Sequence, residues 1–229
     1  MTIGIIGAMQ EEIAPLLAFF KPHTTHTIGG NSFYQATYKG AKILIAYSKI
    51  GKVHASITAT TMITHFGCEK IIFSGVAGAL SPKLKVGDLL LATKLCQHDV
   101  DITAFGHPLG FIPESSVYVE ASPALNALAR DIAKEQNLPL QEGIITSGDQ
   151  FIHSAEKKQW LIDNFSADAV EMEGSSVGVV CNLFGVPFCI LRSISDSADG
   201  KADVSFDEFL EKAAQVSAEF VSSMVEKLV

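Results

Sequence analysis

The chain has 229 residues and a formal net charge of −8, and Arg130 and Arg192 are its two arginines. That balance, with no clustered Lys and Arg, excludes a protein that tracks a nucleic-acid backbone. Cys68, Cys96, Cys181 and Cys189 stand in apolar contexts with no CxxC pair and no zinc spacing. They read as small buried hydrophobes in a reducing, cytoplasmic setting, and neither a disulfide framework nor a metal site is expected.

In chain order, Ile3-Gly4-Ile5-Ile6-Gly7-Ala8 predicts a buried strand with no basic leader pattern before it. Glu11 to Phe20 predicts a helix with Ile13, Leu16, Leu17 and Phe20 on one face. Phe33 to Tyr38 and Lys42 to Tyr47 predict two strands turned at Lys39-Gly40. Gly51 to Phe66 predicts a helix rich in small residues (Ala55, Ser56, Ala59, Thr60), a face that another backbone can approach closely. Lys70 to Ser74 predicts a strand ending in Gly75-Val76-Ala77-Gly78, and Asp88 to Leu95 predicts another.

Residues 104–116 form a Gly/Pro-rich loop. Ser122-Pro123 starts a helix to Gln136, with proline in its first turn. Ile144 to Ser147 predicts a strand and Glu156 to Asn164 a helix. Ser205 opens the last helix as N-cap, followed by Asp207 and Glu208. Near-continuous apolar strands alternating with helices predict a three-layer α/β/α sandwich, and the early hairpin makes its central sheet mixed. With no linker and no repeat, residues 1–229 read as one domain.

The most informative stretch has a charged station at each end. Ala169-Val170-Glu171-Met172-Glu173-Gly174 opens it, Arg192-Ser193-Ile194-Ser195-Asp196 closes it, and no side chain between Glu173 and Arg192 carries a formal charge. Gly174, Ser175, Ser176, Asn182, Gly185 and Pro187 argue against a membrane span. No basic amphipathic helix points to a membrane surface either. The layout predicts strand, carboxylate, buried helix, turn and buried strand, with Glu173 and Asp196 meeting at the rim of a sheet. Two carboxylates held apart can serve as acid and as anion on one substrate, which suggests cleavage of a glycosidic bond. Glu171 reads in part as a structural acid at a helix N-terminus.

Other motifs carry less. Gly4-Ile5-Ile6-Gly7 resembles half of a dinucleotide fingerprint, without the full G-x-G-x-x-G or the later acid. His98-Asp99-Val100-Asp101 has metal-binding residue types, but a strand would send them to two faces. No serine-hydrolase elbow occurs. No cofactor is expected.

The ordered motifs resemble the nucleoside phosphorylase superfamily nearly end to end, and within it the 5'-methylthioadenosine/S-adenosylhomocysteine nucleosidases. The likeness is carried by Gly4 to Met9 with Glu11-Glu12, by Ser48-Lys49-Ile50-Gly51-Lys52-Val53 and by Gly75-Val76-Ala77-Gly78. It continues through Asp101-Ile102-Thr103-Ala104-Phe105-Gly106, Ser147-Gly148-Asp149-Gln150-Phe151-Ile152, the two charged stations, and Ser205 to Leu210. His107-Pro108-Leu109-Gly110-Phe111-Ile112-Pro113 resembles the branch that also splits 6-amino-6-deoxyfutalosine on the way to menaquinone.

The resemblance implies a nucleoside phosphorylase-like fold and adenine nucleosides as small-molecule partners. It implies Asp196 as the acid at purine N7, Glu12 as the residue that activates water, and Glu173 on the ribose hydroxyls. Met172 would pack under the sugar, Phe151 would stack on the base, and the Ile152 backbone would meet the base edge. Met9, Ile50, Val76, Arg192, Ser195 and Phe206 match other pocket-lining or supporting positions. Ile102, Phe105 and Pro113 resemble residues that cross a homodimer interface to cover the partner's 5' group. Two alternatives stand beside this reading. One is a purine nucleoside phosphorylase, disfavoured by the shortage of phosphate-binding cations and by Val76 in the glycine loop. The other is a nucleoside binder, which would need neither Glu12 nor Asp196.

Overall fold

The computed structural model describes residues 1–199 and 202–229, and for 203–205 the backbone alone. β1 (Thr2–Gly7) leads into α1 (Gln10–Phe19), followed by β2 (His23–Ile28), β3 (Asn31–Tyr38) and β4 (Ala41–Tyr47). Then come α2 (Lys52–Thr64), β5 (Lys70–Ala79), β6 (Leu89–Gln97), a 3₁₀ turn at Thr103–Phe105, and β7 (Tyr118–Glu120). The chain finishes with α3 (Pro123–Glu135), β8 (Leu140–Ser147), α4 (Ala155–Phe165), β9 (Ala169–Glu171), α5 (Gly174–Phe184), β10 (Phe188–Asp196) and α6 (Ala202–Leu228).

The strands join in one mixed sheet with helices on both sides. Alternation along each strand explains the two layers. Ile3 and Ile5 of β1, Ile43 and Ile45 of β4, and Cys189 and Leu191 of β10 face the core under α1, α3 and α6. Their neighbours Ile6, Leu44, Ala46, Phe188 and Ile190 face the other core, under α2 and α5. Both faces are apolar because both are covered, which is why the strands read as continuous hydrophobic runs.

The sheet also closes on itself. β5 pairs with β10, β10 with β6, β6 with β8, β8 with β9, and β9 again with β5. β1, β4, β3 and β2 extend outward from β5 as an open wing.

Four elements depart from expectation. β2 is a polar edge strand, His23-Thr24-Thr25-His26-Thr27-Ile28, whose pairing with β3 makes it a strand without an apolar pattern. β7 is too short for its sequence to announce. β5 does not stop at Ser74, because its glycine segment pairs with β10 and β9 at once. α6 opens at Ala202, ahead of Ser205, whose side chain lies outside the described residues. Ser122 caps α3 through its hydroxyl, which accepts from the Leu125 N–H at 3.4 Å.

Candidate active site

The tip of β5 is the axis of the site. Gly75 stands opposite Arg192 and Gly78 opposite Asp196 on β10, while Gly78 also stands opposite Val170 on β9. One short segment therefore has the acid-bearing end of β10 on one flank and the acid-bearing end of β9 on the other. β1 ends beside it and delivers α1. The position follows the rule that ligands gather at the carboxyl ends of sheet strands.

Glu12 lies in the first turn of α1, and its carboxylate folds back over the helix start. Oε2 accepts from the Ala8 N–H at 2.6 Å and the Met9 N–H at 3.1 Å, and Oε1 accepts from the Val76 N–H at 3.0 Å. A Cβ on residue 75 would lie 2.5 Å from Oε1, so glycine is needed there. Burial pushes the Glu12 carboxyl above the usual range, against the pull of Arg192 and the three N–H groups.

Glu173 precedes α5 and accepts from the Gly51 N–H at 2.8 Å. Gly51 has φ +99, a conformation that suits glycine. Burial, and next the charge of Glu171, raise the Glu173 carboxyl; Arg192 opposes them. Glu171 has a larger structural part than helix capping alone. It accepts from Arg192 Nη2 at 2.5 Å, from the Gly174 N–H at 2.7 Å, from the Glu173 N–H at 3.2 Å, and from the Ser147 hydroxyl. Arg192 is 1% exposed and stacks on the Phe73 ring at 4.1 Å.

Asp196 ends β10. Oδ1 accepts from the Ala198 N–H at 2.8 Å and Oδ2 from the Ser195 hydroxyl at 2.9 Å. Burial raises this carboxyl, and Asp199 adds to the rise. Lys158 opposes it; its ammonium ties Ala79 O at 2.9 Å to Ser197 O at 2.7 Å, clasping β5 to the turn after Asp196. Arg192, which the resemblance puts among pocket-lining or supporting positions, turns its guanidinium to Glu171 and is not among the residues that line the cavity.

Glu12, Glu173 and Asp196 all line one cavity of about 350 Å³. Met9, Val76 and Met172 form apolar wall beside the carboxylates, and Ile50 and Ser195 complete it. Phe151, Ile152 and Phe206 close one side, the two rings meeting edge to face at 5.7 Å. Ala8, Gly78, Gln150, Val170 and Glu171 also line it, and no pocket role was legible for them in the sequence; Gly78 stood out only as part of a glycine motif. No Lys or Arg is in the lining among the described residues.

Ile102, Phe105 and Pro113 stand outside this cavity, and Phe105 is 82% exposed. The residues of His98 to Asp101 diverge. Asp99 pairs with Lys52 at 2.6 Å, Asp101 accepts from the Thr103 N–H, and His98 packs on Gly148.

A family model described as Phosphorylase superfamily matches residues 2–226. The aminodeoxyfutalosine nucleosidase of Helicobacter pylori is 59% identical over 227 residues, 99% of this chain and 99% of that protein. The native futalosine hydrolase structure from Helicobacter pylori has a TM-score of 0.98 at 56% identity, covering 99% of this chain and 98% of that one. An aspartate-to-asparagine mutant of Helicobacter pylori MTAN, with 5'-methylthioadenosine in its active site, has a TM-score of 0.97 at 58% identity over 99% and 98% of the two chains.

Proposed function

The chain belongs to the phosphorylase superfamily, and from that premise we propose that it is a nucleosidase: it hydrolyses the N-glycosidic bond of 5'-methylthioadenosine, S-adenosylhomocysteine and 6-amino-6-deoxyfutalosine and releases adenine. One observation carries the reading. Three buried carboxylates, Glu12, Glu173 and Asp196, converge on a cavity walled by Phe151 and Phe206. Its volume suits a nucleoside.

The roles follow from charge. As the ribosyl C–N bond breaks, its electron pair goes to the purine and cationic character stays on the sugar. Asp196, whose burial favours its protonated form, delivers a proton to N7 and neutralises the leaving base. Glu173 holds the ribose hydroxyls, and Glu12 takes a proton from the water that attacks the anomeric carbon. The anionic surroundings stabilise the oxocarbenium-like state. Met172 lies under the sugar, Phe151 stacks on the base, and the Ile152 backbone meets its edge.

Phosphate is a poor nucleophile for this site. The N–H groups of Ala8, Met9 and Val76 already hold the Glu12 carboxylate, and Arg192 is spent on Glu171. An arriving anion would meet carboxylates instead of donors.

Residues 1–229 act as one domain in a cytoplasmic homodimer. Ile102, Phe105 and Pro113 cover the 5' group in the other protomer's pocket. Exposed apolar side chains support that assembly: Phe105, and on α2 Val53 and Ile57. The test is turnover of 5'-methylthioadenosine in phosphate-free buffer, followed by kcat/KM for all three substrates. Release of adenine with free methylthioribose is expected; strict dependence on phosphate would overturn the hydrolytic reading.

A further inference from the structure

Around the cavity, buried carboxylates outnumber cations among the described residues. Glu12, Glu171 and Glu173 each exert their charge on Arg192. Only Glu171 bonds it directly, at 2.5 Å. The other terminal nitrogen, Nη1, donates to Phe73 O and Leu191 O at 3.4 Å, and it and Glu12 Oε1 lie 3.0 Å and 2.5 Å from the point a Gly75 Cβ would occupy. Glu171 has no part in the chemistry above, yet donors hold it from every side, and a carboxylate so held is fixed in place and direction.

We propose that Glu171 is a positioning residue: by holding the Arg192 guanidinium in a direct pair, it limits how much of that charge reaches Glu12 and Glu173 where the ribosyl cation develops. The proposal rests on the nucleosidase reading. Replacing Glu171 by its neutral isostere changes two things in one direction. It removes an anion beside Glu173, and it frees Arg192 to act on both remaining carboxylates. Each change favours their ionised forms.

Arg192 from β10 acts on both Glu12 and Glu173, and Glu171 from β9 and Glu12 act on Glu173. His98, after β6, faces Glu171, and burial pushes its imidazole down to about 4, so it stays neutral in the working range. Lys52, at the start of α2, is engaged by Asp99. Asp196 answers to a separate set: Ser195, Ala198, Asp199 and Lys158.

The experiment is the pH profile of kcat/KM for 5'-methylthioadenosine in wild type and Glu171→Gln. The acid limb, on which Glu12 and Glu173 lose protons, should move down by about 1 pH unit. The basic limb, set by Asp196, should stay. A protonated pyrrolidine mimic of the ribosyl cation should lose about tenfold in affinity, the equivalent of that unit, while adenine binds as before. Arg192→Gln should move the acid limb the other way, which controls for the pull of Arg192 itself; the shift in Glu171→Gln is the test.

An acid limb that stays in place, or both limbs moving together, overturns the proposal. So does an equal loss for the pyrrolidine and adenine. A wild type that leaves methylthioadenosine intact refutes the reaction; an active wild type with an unmoved limb in Glu171→Gln refutes only this inference.

Discussion

Adding one methyl group at Gly78 should disable Asp196 without replacing it. A Cβ there would stand 2.7 Å from Asp196 Oδ1 and 3.1 Å from the Ala198 methyl, whereas ordinary contact begins at 3.4 Å. The carboxylate must retreat by roughly 0.7 Å to restore van der Waals contact. It cannot retreat freely, because Oδ1 is held by the Ala198 N–H at 2.8 Å and Oδ2 by the Ser195 hydroxyl. Productive geometry tolerates about 0.5 Å, and a 1 Å misplacement costs about 10²-fold. Gly78→Ala should therefore lower kcat by about 10- to 100-fold, or about 1.4–2.7 kcal/mol of barrier. Gly78 has no positive φ, so the backbone accepts alanine. The assay is kcat with 5'-methylthioadenosine, with adenine affinity and thermal melting as controls. In an Asp196→Asn background the same methyl should add little, since the group it displaces no longer donates. A kcat within twofold of wild type, or an undiminished penalty in the Asn background, would refute the reasoning.

Asp196→Asn should bind substrate and lose about 10²–10⁴-fold in kcat; retention of more than about a tenth would remove the acid assignment. Burial raises the folded-state pKa of Asp196, so its contribution to stability is greatest at low pH and is lost as pH rises through the folded value. The Tm of Asp196→Asn relative to wild type should therefore climb between pH 4 and pH 7, and a flat difference would contradict the shift. Glu173→Gln should weaken ribose recognition, and a 2'-deoxy substrate should escape part of the penalty; equal penalties would take Glu173 off the hydroxyls. Phe105→Ala should mainly impair substrates with long or apolar 5' groups. Mixing Phe105→Ala with Asp196→Asn chains should restore one working pocket per mixed dimer, and a fully active monomer would sink the shared-pocket reading.

The layers were legible because covered strands demand apolar residues on both faces, as in Ile3, Ile5 and Ile6 of β1. The charged stations were legible because an ionisable group beside a long uncharged run is conspicuous, and Glu173 and Asp196 do line one cavity. Two things were hidden. Chain order does not say which acid an arginine will choose, and Arg192 pairs with Glu171 on another strand. Nor does a glycine announce whether it ends a strand or makes room: Gly75 and Gly78 stay in β5 and clear space for Glu12 and Asp196. β2 was invisible for a third reason, since its pairing with β3, not its own pattern, makes it a strand.

The closed circuit of strands also bears on how the molecule comes apart. Arg192 and Asp196 on β10, Glu171 on β9 and the glycines of β5 all belong to strands of the ring, where each strand has a neighbour on both sides. Opening one ladder leaves the others in place, so amides in the ring should exchange with solvent only in the largest openings. Among the described residues β2 pairs with β3 alone, at the tip of the wing, and can peel away singly. Hydrogen exchange should therefore grade inward, fastest at His23–Ile28 and slowest at Ile72–Gly75 and Leu191–Ser193, and the alignment of Glu171, Arg192 and Asp196 should outlast the fraying of the sheet's open end.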